Sequence, residues 1–259
     1  MSELRRYWWK MNGLRMVVLL PLLALIGWSL SWAEFNGRML LSSGPRFTEF
    51  FTRLVPPDWS VAGLVIESTI ETLMIALAGT SMAVVVSIPL GILAASNVSP
   101  PWLSHPVRWF LGFIRSIPLI VVAMLFVVAV GLGPFPGTLA IAFHSIGMLG
   151  KFYAEEFETA DPGIVDAVQG TGATWMQTLR FGLLPQCIPQ ILSFTVFRFE
   201  MNFRDAAVLG LVGAGGIGYY IQLYVRGFQY EKVAVLLLVI IVVVWMLDQL
   251  TFFARRWIR

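Results

Sequence analysis

Six stretches of mainly apolar residues recur along this chain, near 14–33, 68–95, 109–132, 136–154, 186–212 and 233–254. A helix needs about 20 such residues to cross the hydrocarbon core of a bilayer. The repetition therefore predicts an all-α membrane protein, a polytopic bundle of about six transmembrane helices. The last stretch, with its run from Val233 to Trp245, is apolar on nearly every side. Stretches two to five also carry Gly, Ser, Thr and charges, as helices packed on other helices do, because small residues let backbones approach. Composition points the same way. With 58% hydrophobic and 13% charged residues, against about 45–50% and 25% in an ordinary soluble domain, the chain has too little polar surface to cover a water-soluble globule.

A lone cysteine, Cys187, excludes a disulfide framework and a Cys-rich zinc module. The basic residues are scattered and the net charge is only +3, which argues against a nucleic-acid partner. Arg5, Arg6, Lys10 and Arg15 precede the first span, and Arg255, Arg256 and Arg259 follow the last. Basic flanks stay on the cytoplasmic side, and an even number of spans puts both ends together, so both termini are expected in the cytoplasm. Arg38, Arg46 and Arg53 in the opposing loop 34–66 weaken this bias without reversing it. Phe47, Phe50, Phe51 and Trp59 suit that loop to the outer interface. The first span reads as an uncleaved anchor, because bulky Trp32 interrupts the small residues that a signal-peptide cleavage site needs.

Between spans four and five lies the sizeable cytoplasmic loop, about 157–185. Glu158 and Asp161 lead into Pro162-Gly163, and a proline's missing N–H is tolerated in a first helical turn. Val165, Val168, Gly172 and Trp175 recur at helical spacing, which predicts a short amphipathic helix along the membrane surface. Periodicity leaves open whether that helix has a partner. The stretch Asp166-Ala167-Val168-Gln169-Gly170-Thr171-Gly172, followed after nine residues by Gly182-Leu183-Leu184-Pro185, resembles the E-A-A-x-x-x-G-x(9)-I-x-L-P loop of ABC importer permeases. Asp166 replaces the Glu, Val168 the second Ala and Gly182 the Ile. In that family the loop forms a coupling helix that docks on a separate ATPase subunit. The resemblance implies Asp166, Ala167, Val168, Gly172, Leu184 and Pro185 as the ATPase-coupling residues.

Further stretches are similar to the permeases for phosphonates and their relatives: Gly131-Leu132-Gly133-Pro134-Phe135, His144-Ser145-Ile146-Gly147-Met148-Leu149-Gly150-Lys151, Phe197-Arg198-Phe199-Glu200-Met201-Asn202, and the run from Val208 to Gly218. The resemblance spans about 64–254 and implies a type I ABC importer permease fold over that core. It leaves 1–63 as a cytoplasmic tail, first helix and periplasmic loop, and 255–259 as a cytoplasmic tail. It also implies a homodimer in the bacterial inner membrane, with two cytoplasmic ABC ATPase subunits and a periplasmic substrate-binding protein. The cargo would be phosphonate, phosphite or hypophosphite, moved by alternating access. No G-x-x-x-x-G-K-[ST] phosphate loop occurs in the chain, so ATP and Mg are expected on the ATPase, with no cofactor and no metal here.

A charge at mid-membrane costs about 2.5 kcal/mol or more, and marks a bundle interior or a wet pathway. Span five holds Arg198, Glu200, Arg204 and Asp205. Glu200 and Arg204, four apart, share a helix face and read as an internal pair. Arg198 has no acidic residue three or four positions away. It either pairs with another span or meets an anion, which a guanidinium fork binds with two parallel hydrogen bonds; it is the preferred anion contact. His144, Ser145 and Arg115 complete the candidate substrate pathway, each with an interhelical structural bond as its alternative. Glu67 and Glu71, at the outer end of span two, would repel an anion.

Gly213, Gly215, Gly216 and Gly218 fit a literal G-x-G-x-x-G, but that fingerprint needs a preceding strand. Here it follows a membrane span, so a tight turn is expected, which the resemblance sets near the periplasmic gate. Two other classes compete. An intramembrane enzyme would use His144, yet His105 is the one other histidine and neither H-E-x-x-H nor G-x-S-x-G is present. A scaffold of a membrane complex would leave the four charges of span five without a use.

Overall fold

The computed structural model describes residues 2–258, without the side chains of 2–15 and 39–41. The side chains of Arg5, Arg6, Lys10 and Arg15, on which the expected orientation of the amino terminus rests, and residue Arg259 therefore fall outside the described residues. The chain divides into two units, Met1–Arg53 and Leu54–Arg259.

In the first unit, α1 (Ser2–Trp32) is followed by α2 (Gly37–Ser42) and α3 (Gly44–Arg53). From Met16 to Trp32, α1 is apolar and exposed throughout, the state expected where the solvent is lipid. α3 shows Phe47, Phe50 and Phe51 on its surface, beside a Glu49–Arg53 pair at 2.7 Å.

The second unit contains α4 (Ala62–Ala94), α5 (Pro101–Ser116), α6 (Leu119–Val130), α7 (Pro134–Glu158), α8 (Pro162–Gly170), α9 (Trp175–Thr178), α10 (Leu184–Leu209), α11 (Ile217–Arg226) and α12 (Tyr230–Ile258). A single π-helical turn, Leu179–Leu183, joins α9 to α10. No strand occurs among the described residues, so the literal dinucleotide fingerprint lacks its βαβ setting.

α4 and α7 form the centre. A Cβ at Gly79 would lie 2.6 Å from Ile141, and one at Gly91 would lie 2.8 Å from Tyr153, so both glycines are what allow the backbones to meet. Between them, Ser87 Oγ donates to the Ile146 carbonyl at 3.4 Å. Contacts rise together along both helices, which therefore run in one direction. α10 runs against them. Cys187 lies at the Glu156 carbonyl, Thr195 bonds Tyr153 at 2.6 Å and Asn202 reaches Thr80 at 2.8 Å. α12 returns in the direction of α4, from Val235 and Leu236 packed with Val65 and Ile217 to Thr251 bonded to Glu200. The carboxyl ends of α4 and α7 and the start of α10 thus gather at the end bearing α8, and the α6–α7 and α10–α11 turns gather at the opposite end.

The expected count of six spans is not confirmed by helix length and apolarity among the described residues. Among the described residues, Trp59–Ala94 and Tyr230–Ile258 are long and apolar enough to cross a membrane, and counting each of two bent pairs as one span raises the number to four at most. The stretch 109–132 is not one helix: α5 and α6 meet at 84°. Ile117 is extended there, with φ −83° and ψ 122°, because the ring of Pro118 disfavours helix in the residue before it and removes an N–H. The stretch 186–212 continues, through a bend of 40°, into α11. α7 is unbroken over 25 residues, but with His144, Lys151, Glu155, Glu156 and Glu158 it draws its place from packing rather than apolarity.

Candidate transport pathway and coupling surface

Polar groups concentrate where α4, α7 and α10 meet. Asn202 Nδ2 donates to Thr80 Oγ1 at 2.8 Å and to Ser145 Oγ at 3.0 Å, while Ser145 Oγ donates to Asn202 Oδ1 at 3.1 Å. Arg198, only 4% exposed, donates from Nε to Ser145 Oγ at 3.0 Å and from Nη1 to the Met148 sulfur at 3.1 Å. Its Nη2 lies 3.0 Å from His144 Nδ1 and 3.5 Å from Asp205 Oδ2. A buried cation needs partners for its donors, and this one has them from two helices. Its carboxylate is two turns along its own helix, beyond the three-or-four spacing at which sequence reading searches.

Arg115 stands on the exposed last turn of α5, at the α5–α6 break, its backbone nitrogen 3.1 Å from where a Cβ on Gly147 would lie, one turn of α7 beyond His144. His144 and Asp205 are part-exposed. Arg198 thus bridges a part-exposed imidazole on α7 and a part-exposed carboxylate on its own helix.

Glu200 and Arg204 belong elsewhere. Glu200 is two residues beyond Arg198, about 200° around the helix, and faces α12. Its carboxylate, 5% exposed, accepts from Arg204 Nη2 at 2.6 Å and from Thr251 Oγ1 at 2.8 Å, with Arg255 Nη2 3.8 Å away. Arg204 also approaches Asp248 at 4.0 Å, and its Nε is buried without a hydrogen-bond partner. Span five thus carries two charge clusters on opposite faces. Sequence reading missed Asn202, Thr80, Thr251 and Arg255; a polar Asn202 amid the charges of span five was the available signal.

At the end opposite α8, the glycine run is divided between a turn and a helix. Gly213, Gly215 and Gly216 take φ of 88°, 80° and 72°, values open to glycine and costly for other residues. Gly218 is already inside α11, where a Cβ would collide with the Ala207 carbonyl oxygen. The turn is fastened by the Gly133 N–H to the Gly213 carbonyl at 2.9 Å and the Ile217 N–H to Thr72 Oγ1 at 2.8 Å.

At the α8 end, Asp161 caps α8 by accepting from the Gly163 N–H at 2.8 Å, and its own N–H donates to the Gln186 side chain at 2.9 Å. Asp166 and Ala167 are exposed on α8, and Val168 is half-buried. Gly172, with φ 84° and open space around its α-carbon, turns the chain after α8. Leu184 and Pro185 open α10. Ile164, Trp175, Met176 and Phe181 are all exposed nearby, an apolar patch of the kind that marks an interaction surface.

Residues 87–259 match the family described as binding-protein-dependent transport system inner membrane component, and the chain belongs to that family. It is 37% identical over 250 residues to the phosphite transport system permease protein of Stutzerimonas stutzeri, covering 96% of this chain and 90% of that protein. Against the phosphate-import permease protein of Mycolicibacterium smegmatis it is 38% identical over 211 residues, 81% of this chain but 39% of that longer protein. The fold is similar to that of the inward-facing MetNI methionine ABC transporter, with TM-score 0.70, 20% identity, and coverage of 78% of this chain and 99% of that one. The molecule is therefore a type I ABC importer permease component of the inner membrane, not an enzyme, with ATP hydrolysis on a separate subunit. Membership implies an ATPase and a substrate-binding protein as partners.

Proposed function

We propose that this chain forms the homodimeric membrane channel of an importer for phosphonate or a related reduced-phosphorus oxyanion, phosphite or hypophosphite. The near full-length match to a phosphite permease carries the reading. The contact of Arg198 with part-exposed His144 supports it, since a guanidinium fork suits the oxygens of a tetrahedral phosphorus anion.

The α8 end faces the cytoplasm, with both termini on that side, and the opposite end receives the anion from the binding protein. Each of two ABC ATPase subunits grips α8 through Asp166, Ala167 and Val168 and the turn at Gly172. Displacement of α8 passes to α10 through the Asp161–Gln186 bond and the start of α10 at Leu184 and Pro185. α10 carries Arg198, so its travel exposes the cationic cluster first toward the outer gate at Gly213, Gly215, Gly216 and Gly218, then inward. Arg198, with Ser145 fixing it, meets the anion, and Arg115 lies on the α8 side of it. Glu200 and Arg204 line the other face and tie α10 to α12 during the stroke. Alternating access follows from ATP binding drawing the two ATPases together.

Reconstitution with the ATPase and binding protein in sealed vesicles tests this. ATP-dependent uptake of labelled phosphite or methylphosphonate is expected, and an assembled complex that takes up no reduced-phosphorus anion overturns the reading. A cysteine at Thr171, in a Cys187→Ser background, should stay protected from an impermeant maleimide in right-side-out cells. Differently tagged copies should co-purify if the channel is a homodimer.

A further inference from the structure

Between α5 and α7, at the end bearing α8, a cavity of about 310 Å³ stands open. Buried Ala94, Leu111 and Ala154 form an apolar floor. Arg108, Lys151 and Glu155 hold the rim. Arg108 is committed, its Nε donating to the Ala94 carbonyl at 2.7 Å and its Nη2 to Glu158. Lys151 and Glu155 are not. They lie 3.6 Å apart, 46% and 57% exposed, and a pair of that kind contributes little, so both ends are open to a better partner. Gly112 is the remaining wall, and a Cβ there would meet nothing within 4 Å. Outside the cavity, α5 turns Trp102, Trp109 and Phe113 outward, 75%, 81% and 63% exposed. Exposed tryptophans of this kind sit at the level of lipid headgroups.

We propose that the cavity binds one phospholipid of the cytoplasmic leaflet, an acyl chain lying along Leu111 and Gly112, the phosphate on Lys151 and a headgroup ammonium on Glu155. The inference rests on the orientation proposed above and on no other part of that reading. An ammonium and a carboxylate side by side complement a headgroup that carries both charges. A headgroup of net negative charge meets repulsion from Glu155, and a choline headgroup has no N–H to donate. An ethanolamine headgroup satisfies both side chains. The bound lipid also spans α5 and α7 just before the 84° break, and so braces the elbow.

The permease–ATPase complex, purified in detergent and delipidated, is incubated with equal amounts of phosphatidylethanolamine, phosphatidylcholine and phosphatidylglycerol. Bound lipid is read by native mass spectrometry. Retention of phosphatidylethanolamine about tenfold above the other two is expected, the ratio that one hydrogen bond to a charged group supplies at the low end of its range. Gly112→Leu fills the cavity and should abolish retention. Glu155→Gln should remove the preference for ethanolamine over choline while leaving a lipid bound. Equal retention of the three lipids, or unchanged retention in Gly112→Leu, overturns the proposal. Displacement by millimolar inorganic phosphate overturns it too, reassigning the cavity to a free anion. The measurement needs neither transport nor a sealed membrane, so its failure and a failure of uptake are separate results.

Discussion

Arg198 and Ser145 are joined by one hydrogen bond of 3.0 Å from Nε to Oγ, and the same hydroxyl bonds Asn202, one turn along α10 from Arg198. Ser145 on α7 thus holds α10 at two points. The arrangement fixes the height of the guanidinium in the bundle and leaves its Nη2 turned toward His144 and Asp205.

Replacing Arg198 separates charge from geometry. Arg198→Lys keeps the cation but loses the fork, so uptake should fall at least about tenfold while co-purification with the ATPase stays normal. Arg198→Ala removes the hydrogen bonds to Ser145 and His144 and leaves part-exposed Asp205 without its cation, and should also lower the melting temperature in detergent. A lysine variant with full uptake would remove the bidentate role.

Glu200 is a structural clasp on the opposite face. Glu200→Gln removes the charge that part-exposed Arg204 and Arg255 share and should lower the unfolding temperature of the complex, whereas Thr251→Val, which deletes one hydrogen bond, should cost about 1 kcal/mol. Thermal unfolding of the two variants and of their combination checks this. Because both act on one carboxylate, the combined loss should be smaller than the sum.

Gly172 closes α8 in a left-handed conformation. Gly172→Val places a β-branched side chain at φ 84°, a strain of about 1–3 kcal/mol. Loss of ATPase pull-down with unchanged membrane insertion is expected. Normal ATPase binding would count against α8 as the gripping surface.

At the far turn, Gly218→Ala drives a methyl group into the Ala207 carbonyl and should push α11 away from α10. Uptake should drop sharply although the ATPase still binds. Gly63→Ala, at a position with nothing within 4 Å, is the matched control and should transport normally.

The apolar stretches were legible because each crossing requires a minimum length of apolar chain, and the loop between spans four and five because its residue pattern is local. The break at Pro118 was visible as a residue but not as an angle, since the bend depends on how α5 packs against Gly147 and Gly150. Partners for Arg198 could not be read: Ser145, His144 and Met148 lie some fifty residues away, and linear spacing says nothing about which helices adjoin. The opposite facing of Arg198 and Glu200 was available from helical periodicity alone, once an unbroken helix was granted. The polar residues of α7 have the same origin, because a helix surrounded by α4, α5 and α10 tolerates side chains that a lipid-facing helix does not.

The seam between α4 and α7 exists because Gly79 and Gly91 contribute no side chain. On the α4 side no side chain at these two positions can rotate to widen the gap, so the two backbones are held at one close spacing. Bending is easier at Ile117–Pro118, where the backbone is already broken, than across that seam.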